Sequence, residues 1–278
     1  MARTLQDRLI HSFDRHNLSL PPLPQVPLKV LTHLRDPKCS FSQISKDIAQ
    51  DPVIAGAVLR MANSAIYAGA QRITTLPPAV TRLGSRVLRM LMLHQSLRAA
   101  AFDIGARDRD LAEKVWVRAV ASAAVMSGLA RLIGCDEDEA LLVGLFHDVG
   151  NVIVLREAAA QAALSRQRVE IDAFEYLAYQ CHQELGEMIA QEWQLSEDLR
   201  SLIADHHHSP AADDLLGQQR WLIQLSDMLI ATLGYAPGGG YDAESCQPAR
   251  ELGLAKRADF VSFLERLPEA IQQVLTMV

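Results

Sequence analysis

Apolar residues recur along this chain every three to four positions, and no stretch alternates with period two for long enough to make a strand. The period predicts helices from end to end. Leu5, Leu9, Ile10 and Phe13 fall at helical spacing within residues 1–17. Ser40 stands three residues before Gln43, the spacing of a capping box, just ahead of Ile44 and Ile48. Asp51-Pro52 supplies an N-cap and a first-turn proline before VIAGAVLRMANS, in which Ile54, Val58 and Met61 share a face. Thr75-Leu-Pro-Pro opens a short helix that Gly84 closes, and Ser85 caps the long run RVLRMLMLHQSLRAA. A later helix opens at His182 in HQELGEMIAQEW, and the last, RADFVSFLERLPEAIQQVL, should be kinked or split by Pro268. The fold class is all-α.

Breaks in the pattern divide the chain. The proline-rich PPLPQVP at 21–27 is expected to run extended, because proline fixes φ and restricts the residue before it. The polar DIGARDRD at 103–110 separates one helical half, 18–103, from a second, 104–235. A glycine-rich loop, GYAPGGGYDAESCQP, leads to the C-terminal helix, so 236–278 is expected to pack on the second half. With 278 residues there is room for one large core or two smaller ones.

A net charge of -6 argues against a broad footprint for nucleic acid or anionic membrane. Cys39, Cys135, Cys181 and Cys246 are scattered with no CxxC pair, which disfavours a disulfide framework and fits a reducing cytoplasm. The first 17 residues carry charges throughout and lack the apolar core of a signal peptide. The weakly polar stretch Ala119 to Ala130 is too short to span a bilayer. The expectation is a cytoplasmic chain without membrane insertion.

Candidate chemistry lies in the second half. GLFHDVGN sets His147 beside Asp148 at a helix end, with Gly150 as the expected terminator. His182 follows, then His206, His207 and His208 in DHHH, then Asp227 in LIQLSDMLI. Imidazoles and carboxylates suit iron, zinc, manganese or nickel, and a carboxylate next to an imidazole can bridge two ions that together polarise a phosphoryl oxygen. From the residues alone a metal site and a satisfied buried polar network are equally open.

The ordered series His-Asp, His, His-His and Asp resembles the HD superfamily of metal-dependent phosphohydrolases, including the HD-GYP branch that cleaves cyclic di-GMP. The first half is more specific. DPVIAGAVLRMANSA, the following I-x-x-L-x-x-A pattern and RLGSRVLR, continued by KVWVRAV, GLFHDVG and HQELGEMIAQEWQLSEDL, resemble the HDOD domain over roughly residues 18 to 235. The resemblance implies a helical N-terminal half packed on a degenerate HD-type domain, which serves bacterial signalling after losing catalysis. HD enzymes carry their first metal-binding histidine two residues after the tryptophan of this helix, and this chain has Arg118 there. A guanidinium has no lone pair to donate. It is expected instead to replace the cation by pairing with Asp148 or Asp227. The lysine that often follows His-Asp-x-Gly is Asn151 here.

What the resemblance implies is a non-catalytic regulatory module with no cofactor, or with one divalent ion (Fe, Mn, Zn or Ni) held by His147, Asp148, His182, His206, His207 and Asp227. Its partner would be a signalling protein or a nucleotide second messenger, bound in a groove near Asn63, Arg82 and Arg86. The alternatives are a residual metal-dependent phosphohydrolase and a DNA-binding regulator. SFSQISKDIAQDPVIAGAVLRMANS scans as helix-turn-helix, but its second helix offers only Arg60 and Asn63 as long polar groups.

Overall fold

The structure, a computed structural model, describes residues 20–64, 67, 69, 71–164, 166, 168–211, 214, 216 to 277. The helix expected within 1–17 lies outside these. Every regular element among the described residues is helical. The chain forms two compact units, one from Pro22 to Ala100 and one that takes Pro21 and the chain from Ala101 on.

The first unit contains α1 (Gln25–Arg35), α2 (Phe41–Ile48), α3 (Pro52–Ala62) and most of α4 (Leu76–Phe102). Caps decide where these start. Ser40 Oγ accepts from the Gln43 amide, and Asp51 accepts from the amides of Val53 and Ile54. α4 is two helices joined at Gly84, whose φ of 69° and ψ of 175° no helix can contain. The proline-rich segment departs from expectation. α1 already begins at Gln25, with Pro24 as its N-cap and Pro27 inside the first turn. Proline is tolerated there because a first-turn N–H has no helical acceptor to lose.

The second unit follows a 3₁₀ turn (Ala106–Asp108) and holds α5 (Arg109–Ile133), α6 (Glu137–Phe146), α7 (Gly150–Leu164), α8 (Ile171–Glu192), α9 (Glu197–Asp205), α10 (Gly217–Thr232), α11 (Gln247–Glu251) and α12 (Ala258–Met277). The polar joint at 103–110 is anchored: Asp108 is buried, and its carboxylate accepts from the Val169 amide at 3.0 Å. α5 is the core helix, packed against α6, α7, α10 and α12. The segment Ala106–Ile133 is long and apolar enough to cross a membrane by length and composition, unlike the shorter stretch expected from sequence, and half of its apolar window is buried. α12 runs through Pro268 as one helix rather than splitting.

Glycines set two close approaches that matter for the site. A Cβ on Gly144 would lie 2.7 Å from the Ala123 Cα, so α6 rides directly on α5. A Cβ on Gly150 would lie 1.8 Å from the His182 carbonyl oxygen. Gly150 therefore opens α7 against α8 rather than terminating the helix before it. Phe146 packs edge-on to Trp193, whose Nε1–H donates to Pro21 O at 2.8 Å.

Candidate metal centre

Each of three histidines is anchored by its own helix. His147 caps α6, and its Nδ1 lies 3.0 Å from Gly144 O. His182 sits in the middle of α8 rather than at its start, with Nδ1 2.7 Å from Ala178 O. His206 caps α9, with Nδ1 3.0 Å from Ile203 O. A carbonyl only accepts, so each Nδ1 carries a proton. Each Nε2 is left pointing into a common space. All three rings are buried, while His207 beside them is exposed.

There the Nε2 atoms converge. His182 Nε2 is 3.2 Å from that of His206 and 3.0 Å from that of His207. Asp148 divides the cluster: its Oδ1 lies 3.5 Å from both His182 Nε2 and His206 Nε2, and its Oδ2 lies 3.9 Å from His147 Nε2. Asp227, on α10, places Oδ1 3.1 Å from His147 Nε2. The six residues singled out as ligands thus share one site. One half has three imidazoles facing a carboxylate oxygen. The other has one imidazole between two carboxylates.

Charge follows that division. Burial alone would lower the His147 pKa, but the Asp148 and Asp227 carboxylates, with the bonds to Asp227 and Gly144, raise it to about 9. Burial opposes ionisation of Asp148, yet His147, His206 and His182 hold its carboxyl well below the usual range. Partial desolvation of the His207 ring, whose Nε2 faces into the cluster while its rim stays exposed, pushes it down to about 4, helped by His206, and burial also lowers His182. The two carboxylates thus hold His147 toward its protonated form. The lowered pKa values of His182 and His207 favour their neutral forms, with lone pairs available.

A metal ion fits that half. With Nδ1 of each ring on a backbone carbonyl, the Nε2 atoms of His182 and His206 face each other at 3.2 Å, a pair that either shares a proton or holds a metal ion between its lone pairs. Ligands about 2.05 Å from a tetrahedral ion stand about 3.3 Å apart. The 3.2 Å and 3.0 Å separations, and the 3.5 Å to Asp148, lie close to that spacing.

Arg118 does something other than expected. Its Nη2 donates to Glu175 Oε1 on α8 at 2.8 Å, while Asp148 and Asp227 are partnered by histidines. The physical reason is that His147, His182 and His206 already surround these carboxylates, and Glu175 offers the guanidinium a partner of its own. Asn151 is buried in the first turn of α7 and brings no charge.

The three residues proposed for a groove lie in the other unit. Asn63 donates to Ile73 O at 2.7 Å and accepts from its amide at 2.8 Å, pinning the chain between α3 and α4. Arg82 donates to Ala62 O at 3.2 Å and Gln71 O at 3.4 Å. Arg86 lies beyond Gly84, on the second of the two helices of α4. Asn63 and Arg82 hold the fold locally, and Asn63 is no longer available to read a base.

Sequence reasoning missed Arg220 and Gln224. Both lie on α10 behind the histidines, Arg220 four residues before Gln224 and seven before Asp227, a polar spacing visible in RWLIQLSD.

The HDOD domain family model matches residues 20–209. The chain belongs to the HDOD family. A protein of Treponema pallidum (strain Nichols), named only as uncharacterized, is 26% identical over 214 residues, 70% of this chain and 39% of that protein. The HDOD chain thus spans well under half the length of that relative. An HDOD domain protein of unknown function from Geobacter sulfurreducens shares the fold with a TM-score of 0.69 at 21% identity, over 98% of this chain and 97% of that one. A Shewanella amazonensis SB2B protein, provisionally named a metal-dependent phosphohydrolase, aligns with a TM-score of 0.74 at 19% identity, over 96% and 98%. A Marinobacter aquaeolei VT8 protein, provisionally named for signal transduction, aligns with a TM-score of 0.65 at 21% identity, over 98% and 65%.

Proposed function

We propose that this HDOD chain is a regulatory signalling module that holds one divalent ion and recognises a signalling protein or nucleotide messenger without hydrolysing it. The observation that carries this reading is the unequal division of the cluster about Asp148. His182, His206 and His207 make a three-imidazole donor set, with Asp148 Oδ1 3.5 Å from two of them, whereas the second donor group, His147, Asp148 and His206, shares His206 with it and so adds only one imidazole of its own. In the other half the single imidazole is engaged with Asp227, and α5 contributes Arg118, bonded to Glu175, where an HD enzyme has a histidine. Two-ion phosphoryl chemistry needs both halves filled. The signal-transduction name of the Marinobacter protein supports the regulatory reading.

When bound, the ion would supply positive charge that neutralises Asp148 and ties α8 to the turn after α9. The residues themselves orient the donors: Gly144, Ala178 and Ile203 fix the ring tautomers, and Asp227 holds His147 by its Nε2. The test is to strip the protein with chelator, add manganese, iron, nickel or zinc singly, and measure metal content beside hydrolysis of cyclic dinucleotides and a generic phosphodiester. One ion per chain with no saturable turnover is expected. Two ions, or turnover that disappears in His147→Ala, would overturn the reading.

A further inference from the structure

His206 and His207 leave α9 on a turn that no further helical bond supports, and two side chains of α10 hold it. Gln224 uses its Nε2 for two carbonyls, His206 O at 3.1 Å and His208 O at 2.9 Å. These acceptors flank His207 on either side. One turn earlier along α10, the buried Arg220 donates through Nε to Asp205 O at 3.3 Å, through Nη2 to Ser201 Oγ at 3.1 Å and through Nη1 to Asp214 Oδ2 at 2.5 Å. Helical spacing puts Arg220, Gln224 and Asp227 on one face. The register of that face is fixed by a buried bond, Ser226 Oγ to Ser122 Oγ on α5 at 3.0 Å.

We propose that Arg220 and Gln224 are positioning residues for the metal centre, clamping the turn so that His206 and His207 aim their Nε2 atoms at His182. His207 depends on the clamp most. Among the described residues it is the cluster histidine without a bond from Nδ1 to its own helix, and it is the most exposed. Its ring direction is set by the peptide planes on either side of it, the ones Gln224 holds. Buried Arg220 has a second duty, joining Asp205 and Asp214 at the two ends of the loop, so its removal disturbs more than ring direction. Gln224 is only half-buried and isolates the effect.

The inference rests on the proposed ion site, and the experiment separates the two. Gln224→Met keeps length without donors. Gln224→Asn keeps the amide but is too short to span both carbonyls. Zinc affinity is measured by chelator competition for the parent and both variants, with the melting temperature of each metal-free protein and amide hydrogen exchange over residues 207–211. Outer partners of metal ligands typically set affinity by about 10–100-fold, and a loss of that size is expected in both variants. Metal-free melting should stay near the parent, and exchange in the turn should rise while that of α5 does not. Undiminished zinc affinity in both variants, or a loss matched by a general fall in melting temperature and exchange throughout, overturns the clamp while leaving the ion site standing. A parent protein that takes up no zinc overturns the ion site, and the clamp's role with it.

Discussion

Gly150→Ala tests the packing on which the site depends. The added Cβ would lie 1.8 Å from His182 O, 2.6 Å from His182 C and 2.7 Å from Gly186 N. All three are backbone atoms, so no rotamer change relieves the clash. Reaching even 3.0 Å from the oxygen requires α7 and α8 to part by about 1.2 Å, and overpacking usually costs about 1–3 kcal/mol. The upper end applies here because two helices must move together. For a domain of this size about 3 kcal/mol corresponds to a fall in melting temperature of about 6–12 °C. The same displacement carries His182 away from Asp148, now 3.5 Å distant, so metal uptake should weaken together with stability. Thermal unfolding followed by circular dichroism, beside Gly105→Ala as control, reads the effect; Gly105 has open space around its would-be Cβ. A Gly150→Ala protein melting within about 2 °C of its parent would refute the close approach of α7 and α8.

Loading the metal-free protein with zinc at 100 times its dissociation constant should add about 2.7 kcal/mol of stability, lost in His182→Ala; an unchanged melting curve would exclude the site. Arg118→Met should cost about 1.5–3 kcal/mol, the scale of a hydrogen bond to a charged group, and leave zinc affinity unaltered, since Arg118 pairs with Glu175. Asn63→Ala should cost about 1–2 kcal/mol by stripping Ile73 of both backbone partners, measured by urea unfolding. Burial, aided by Arg98, lowers the His94 pKa from 6.5 to about 4, so the unfolded chain takes up this proton first as pH falls. Stability is whole above pH 6.5 and declines by up to about 3 kcal/mol as pH drops to about 4, a loss that His94→Leu should remove in urea midpoints compared across that range.

Local chemistry was readable where one residue decides the structure. Ser40, Asp51 and Gly84 act through their own backbone neighbours, and each does in three dimensions what its position in the sequence implies. Pro27 misled because the same ring that favours extended chain also fits a first helical turn. Gly150 was misread because its reason is a carbonyl 32 residues away in sequence. The start of α8 was missed because exposed Tyr176 and Tyr179 blur its apolar stripe, hiding that His182 is three turns inside the helix. The clustered His and Asp residues were legible as residue types in order, but the unequal halves depend on which oxygen of Asp148 faces which ring. The partner of Arg118 was equally hidden: Glu175 reads as an ordinary surface charge in IDAFEYLAYQ.

The three bonds from Nδ1 to Gly144, Ala178 and Ile203 have a consequence beyond tautomer choice. Each ring is fastened to the helix that carries it, so it travels with that helix as a pointer travels with a lever. A slide of α9 along α8 would appear undamped as a change in the distance between His206 and His182. Because coupling between two events is reciprocal, whatever such a slide does to the grip on an ion, the ion does in equal measure to the slide. With the proposed ion bound, the centre would thereby gauge helix position, an ion gained or lost at one point displacing a surface elsewhere on the same unit.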